Sequence, residues 1–251
     1  VDAWARYHAA GALAREGRHA EALREFQWFH EHALAENPSL AGVRLSYALS
    51  RWADLGKVYP PARAALEAVR DRDTAVLLAG KGDRKLFMDI EAIYDALGEK
   101  QRTHALFVEL EKIDPELARS CAGVALPAII TAGDYALAER LLPDPERVVR
   151  RGAAILNADF SGRRRMRFMR APYLATCINM YVDRVREVLT VLEGRGRTHE
   201  AARLRRLAAD LIPATTIRRA VRDALLPGAP TWLERSAARL RRLPRSRRPL
   251  R

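Results

Sequence analysis

The sequence predicts an all-α fold, a long up-and-down series of helical hairpins stacked on their neighbours. Three observations predict it. Apolar residues recur at helical spacing almost from end to end. Glycine or proline breaks the pattern at short intervals, which leaves helices of about 10–20 residues. No run alternates β-branched with polar residues, so no strands are expected.

The elements follow in order. Leu23, Phe26, Phe29 and Ala33 step along one helix face after the break at Gly17. Asn37-Pro38-Ser39 reads as the next helix start, and Tyr59-Pro60-Pro61 as another. Ile90, Ile93, Tyr94 and Leu97 form an i, i+3, i+4, i+7 set that ends at Gly98. Asp114-Pro115-Glu116 and Asp144-Pro145-Glu146 are helix starts. There the Asp can cap, Pro suits the first turn, and Glu favours the positive helix end. An extra helix over about 145–157 precedes Phe160-Ser161-Gly162-Arg163-Arg164-Arg165, which reads as a joint. Tyr181, Val185, Val188 and Leu192 repeat the apolar stripe before Gly196. Gly17, Gly56, Gly98, Gly133 and Gly196 are each expected in a left-handed turn that closes a helix. The expected organisation is a helical-hairpin stretch over 1–157 and a basic joint over 158–171. C-terminal hairpins with a capping helix follow over 172–243, then a basic disordered tail over 244–251.

Several of these residues carry a family likeness. Gly17-Arg18-His19-Ala20-Glu21-Ala22-Leu23 followed by Phe26 is a turn and second helix. Tyr94, Gly98, Phe107 and Pro115 fall at aromatic, turn, aromatic and terminating positions, and Gly133-Asp134-Tyr135 with Ala138 repeats the theme. Gly196, Ala201 and Pro213 give a last candidate, with the same Gly-to-Pro step of 17 residues as Gly98 to Pro115. On these motifs the chain resembles the tetratricopeptide repeat family, in a divergent form. The resemblance covers 1–142 and 173–213. Its turn glycines are 39, 42, 35 and 63 residues apart rather than evenly spaced. It implies a right-handed superhelix of stacked antiparallel hairpins, an α-solenoid.

Composition narrows the functional classes. An apolar fraction of 49% excludes wholesale disorder, and two cysteines, Cys121 and Cys177, exclude a disulfide scaffold. The longest apolar stretch, Cys121 to Ala132, is too short to span a bilayer, and no signal pattern opens the chain, so the default location is cytoplasmic. The start at Val1 fits a fragment, a processed product or an alternative start codon. Residues 1–150 carry 20 Lys+Arg against 23 Asp+Glu, whereas 151–251 carry 24 against 8. The whole basic excess therefore lies C-terminal. It reads either as an anion-binding surface or as compositional arginine bias, since only five of the 44 basic residues are lysine.

No constellation points to catalysis, a cofactor or a metal. Gly80-Lys81-Gly82-Asp83 lacks the glycine spacing of a phosphate loop and reads as an interhelical loop. His30 and His32, two apart on a helix, face different ways and cannot chelate one ion, while His8 and His19 read as polar surface. Cys121 and Cys177 read as small core residues. Close carboxylates such as Glu109/Glu111 and Asp71/Asp73 read as capping or charge balance. Arg163, Arg164, Arg165, Arg167 and Arg170 interleave with Phe168. That pattern suits single-stranded nucleic acid or an anionic surface, and equally a basic loop leading into a helix. Trp232, Leu233, Ala237 and Leu240 with neighbouring arginines read as a helix that caps the end of the stack, or as a basic amphipathic helix for a membrane.

The family resemblance also implies a concave groove lined by the first helix of each hairpin. That face would carry Trp4, Tyr7, Gly11, Ala14 and Arg15, then Ser46, Ser50 and Asp54, then Lys85, Met88, Ala92 and Asp95. Trp4 and Tyr7 are the anchor candidates. The expected function is a non-catalytic scaffold that binds a peptide segment of a protein partner, with a nucleic-acid-associated helical repeat as the alternative.

Overall fold

The computed structural model describes residues 2–163 and 171–229, without the side chains of 160–163, 171 and 172. Among the described residues all regular structure is helical, as expected, and no helix is long and apolar enough to cross a membrane. The chain divides into two compact units, Val1–Ala132 and Gly133–Arg251. The joint expected over 158–171 falls within the second unit. Residues 164–170 of it, the expected capping helix and the basic tail lie outside the described residues.

The first unit opens with α1 (Ala3–Arg15), whose first turn is capped by the Asp2 carboxylate accepting from the Trp4 N–H. Gly17, at φ 79°, turns the chain into α2 (His19–Glu36). The stripe of α2 buries Ala22, Phe26, Phe29 and Ala33 against α1 and its neighbours. Each buried Phe contributes about 1.5–3 kcal/mol relative to an exposed one. Asn37 accepts from the Ser39 N–H and starts a 3-10 turn, Pro38–Leu40. The chain then runs through α3 (Ala41–Val43) and a π-helical segment, Arg44–Ala48, into α4 (Leu49–Val58).

The turn expected at Gly56 is not there. Gly56 lies inside α4, buried, where a Cβ would stand 2.9 Å from Arg63 Cβ. Its missing side chain lets α4 and α5 (Pro60–Val76) approach closely. The turn itself is made by extended Tyr59, with Pro60 at the first helical position. The left-handed glycine comes later, at Gly80 (φ 72°), where a second π-helical segment, Leu77–Lys81, ends. The loop around Gly80-Lys81-Gly82 therefore joins helices, as expected. Asp83 accepts from the N–H groups of Lys85 and Leu86 to cap α6 (Arg84–Leu97), and Gly98 (φ 77°) closes that helix. Asp114 caps α8 (Pro115–Thr131) after α7 (Gln101–Ile113) in the same way. Such a cap is worth about 1 kcal/mol. In the packed unit α1 lies on α2, α4 on α5 and α7 on α8, while α6 packs on both α4 and α8. Trp52, 1% exposed, sits at the centre and donates from Nε1 to Ala62 O at 2.8 Å.

The second unit contains α9 (Tyr135–Leu141), α10 (Pro145–Arg163), α11 (Ala171–Gly194), α12 (Thr198–Asp210) and α13 (Thr215–Ala224). The helix expected over about 145–157 is α10, and it continues to Arg163. The central element is α11, which packs on α9, α10, α12 and α13. Tyr181, Val185, Val188 and Leu192 are all buried, as their spacing requires. The Tyr181 hydroxyl donates to Ala208 O at 2.9 Å, and its ring closes on Gly152, where a Cβ would stand 2.9 Å away.

Candidate functional site

In the first unit α1 and α4 flank a cleft of about 530 Å³. His8, Gly11, Ala14 and Arg15 line it from α1, and Arg51, Asp54, Leu55 and Val58 from α4. Buried Phe26 of α2 contributes to its lining. Helical spacing puts His8, Gly11 and Arg15 on one stripe of α1, and Arg51, Asp54 and Val58 on one stripe of α4. Gly11 leaves room for the Arg51 guanidinium, since a Cβ there would stand 2.9 Å from Arg51 Nη1. The Arg51 guanidinium lies 4.7 Å from the Tyr7 ring centroid, and Arg15 Nε donates to Gly11 O at 3.0 Å. Neither arginine meets a carboxylate among the described residues, whereas Asp54 is paired with Lys57 at 2.7 Å. Val58, 66% exposed, adds a bare apolar surface. The cleft can thus take an apolar group and offer free guanidinium donors to an acceptor beside it.

The expected groove residues divide. Gly11, Ala14, Arg15 and Asp54 line the cleft. Trp4 is half-exposed and meets His8 edge-on at 5.0 Å, so it stands next to the lining. Tyr7 is buried, 4% exposed, with its ring 5.4 Å from that of Phe29. It supports Arg51 from below and presents little of itself. Ser46 and Ser50 are exposed outside the cleft lining, with the Ser46 hydroxyl bonded to Gly42 O. Lys85, Met88 and Asp95 lie on α6 and do not line the cleft; Asp95 is paired with Lys100 at 2.6 Å, and Ala92 is buried. Sequence reasoning missed His8, Arg51 and Val58. The i, i+3, i+7 spacing of Arg51, Asp54 and Val58 was the available signal.

Several titratable groups lie away from this cleft. Arg44 donates to both oxygens of Asp89, at 2.8 and 2.7 Å, and from Nε to His30 O at 2.7 Å. Burial, reinforced by Arg44, pushes the His30 imidazole down to about 4, so it is neutral at neutral pH. His32 on the same helix is exposed, which matches the expected divergence of the two rings. Burial also raises the Cys121 thiol, which weakens it as a nucleophile. The expectation for Cys177 is corrected. It is only half-buried, donates to Asp159 Oδ2 at 3.6 Å, and lines a shallow space of about 270 Å³ beside exposed Ile155, Tyr173 and Met180. It lies one helical turn before Tyr181 on the same face of α11, where the stripe runs out to a half-buried position. The close carboxylates are answered by cations: Asp71 by Arg70, Asp73 by Arg72 and Glu109 by Lys112. Among the described residues no group of three or more His, Cys, Asp or Glu side chains is placed to hold a metal ion.

In the second unit many arginines are used within the fold. Arg195 and Arg197 both grip Glu139 at 2.8 Å, and Arg203 reaches Glu146 at 2.6 Å. These carboxyls are held below the ordinary glutamate range, chiefly by those hydrogen bonds. Arg186 donates to the carbonyls of Ala224 and Ala229, and Arg218 to those of Ile212 and Pro213. Arg147, Arg151, Arg206, Arg219 and Arg222 are exposed and have no such partner among the described residues. Arg164, Arg165, Arg167 and Arg170 lie outside the described residues, as does the Arg163 side chain. Compared with protein-family models, curated proteins and solved structures, the chain matches none.

Proposed function

We propose that the chain is a non-catalytic interaction scaffold whose hairpins stack as a divergent right-handed superhelix of the tetratricopeptide type. On this reading an extended or helical peptide segment of a protein partner lies in the α1/α4 cleft. The observation that carries it is the lining of that cleft: bare Val58 beside two guanidiniums, Arg15 and Arg51, that no carboxylate answers among the described residues, with half-exposed Trp4 next to it. Such a surface suits a segment with an apolar anchor and a nearby acceptor. The burial of His30 and Cys121 supports a non-catalytic reading, because neither group is poised for proton transfer or attack at neutral pH.

A random peptide library displayed against the full chain tests this. Enriched peptides should lose about tenfold in affinity on Val58→Glu or Arg51→Glu, by fluorescence anisotropy. A library that yields no binder, or binders indifferent to both changes, would overturn the reading. The nucleic-acid alternative draws on Arg163 to Arg170. The internal engagement of Arg195, Arg197, Arg203 and Arg218 weighs against reading the described basic excess as one continuous binding surface.

A further inference from the structure

The second unit has a cleft of its own, about 340 Å³, between α12 and α13. Arg205, Arg206 and Asp210 line it from α12, and Arg222 from α13, with Ala209 and Leu226 as apolar surface. The hairpin that forms it is firmly fastened. Leu204, Ala208, Ile217 and Val221 are buried between the helices and their neighbours. Arg218 Nε donates to Ile212 O at 2.7 Å, tying α13 to the connecting turn. The cleft walls are therefore held before any ligand arrives.

The three guanidiniums are not alike. Arg205 Nη2 is taken by Glu193 at 2.6 Å, while its Nε is buried without a hydrogen-bond partner. Arg206 and Arg222 are exposed and meet neither a carboxylate nor a carbonyl among the described residues. This contrasts with Arg195, Arg197 and Arg203 in the same unit, each of which is paired. Two unanswered cations from different helices, beside a third with an idle donor, make the cleft attractive to an anion with several equivalent oxygens. One carboxylate satisfies one guanidinium fork. A phosphoryl group presents three oxygens and can bridge two forks. Leu226, 55% exposed at the same cleft, offers a surface to an organic body attached to that group. We propose that the α12/α13 cleft binds a phosphoryl group, independently of the groove in the first unit.

Isothermal titration of the full chain with inorganic phosphate tests this, near neutral pH and with chloride adjusted to hold ionic strength constant. The expected result is saturable one-site binding, weakened about tenfold by Arg222→Gln and by Arg206→Gln, the worth of a charge-assisted hydrogen bond. Arg219→Gln removes an exposed arginine of α13 that does not line the cleft, and should leave the affinity within about twofold. All three side chains are exposed, and circular dichroism checks that each variant is folded. Arg205→Lys keeps a cation for Glu193 but deletes Nε, and should weaken binding less than either glutamine variant. Phenyl phosphate as a second probe separates the sources. Tighter binding than inorganic phosphate assigns the cleft to a phosphate ester, and equal binding to the free ion. No saturable heat beyond the chloride control overturns the proposal. So does a loss on Arg219→Gln as large as that on Arg222→Gln, which would mean diffuse charge rather than a site.

Discussion

The two units spend their arginines differently. In the first, Arg44 and Arg70 are buried and reach across sequence, Arg44 to Asp89 and Arg70 to Glu99. They pin successive hairpins from the inside. In the second, Arg195, Arg197 and Arg203 clamp half-exposed Glu139 and Glu146, and Arg186 and Arg218 cap backbone carbonyls. Those bonds organise helix ends near solvent. A buried pair is costly to break because the surviving charge has no water. An exposed pair costs little, because water and salt replace the partner. The C-terminal excess of arginine is thus partly structural, and net charge alone overstates the surface left for anions.

The contrast can be broken at several points. The largest effect is expected for Asp89→Ala, which strands the Arg44 guanidinium and should cost about 3 kcal/mol in urea unfolding. A loss comparable to that of an exposed pair would show that water reaches Arg44. Gly56→Ala comes next. Its methyl group would meet Arg63 Cβ and backbone where α4 and α5 touch, with an expected cost of about 2 kcal/mol. An unchanged melting temperature would mean that the two helices separate without penalty.

Acid should also distinguish the units. His30 binds its proton only near 4 in the fold, and near 6.5 when exposed. Between those values the unfolded chain takes up a proton that the folded chain refuses. Stability therefore falls as pH drops through that window, by up to about 1.4 kcal/mol per pH unit for one proton. His30→Phe should flatten this slope; a slope that persists would assign it to another group. The smallest effect belongs to Glu139→Gln. Its carboxyl is held low by Arg195 and Arg197, so its contribution is present above the ordinary glutamate range and fades as pH falls below it. The change should be small and should vanish in high salt. A loss that salt does not screen would place this clamp among the buried pairs after all.

Much of the fold was legible because capping chemistry is local. Asp114, Asp144 and the glycines at 17, 98, 133 and 196 act within one turn of chain, so their side chains or φ angles declare helix ends. Gly56 misled for a physical reason. A glycine that relieves a helix crossing and one that reverses the chain have the same formula, and only the partner, here Arg63, tells them apart. The candidate cleft was half legible. Helical spacing gathers Gly11, Ala14 and Arg15 on α1, but it does not say which side of Tyr7 meets α2, and Phe29 claims that ring. On α4 the cleft is lined by Arg51, Asp54, Leu55 and Val58, while Ser50, and Ser46 in the segment before it, do not line it.

The π-helical segment Arg44–Ala48 leads directly into that wall of the cleft. A π turn accommodates an extra residue in a helix, and each residue advances the helix by about 100°. The segment therefore acts as a phase shifter placed upstream of Arg51, Asp54 and Val58. Removing one residue from it, without altering the identity of any other, would swing that wall about a third of a turn around its own axis. The helix would survive and the cleft would lose its lining. In this stretch of chain, residue count sets the lining of the cleft as firmly as residue type does.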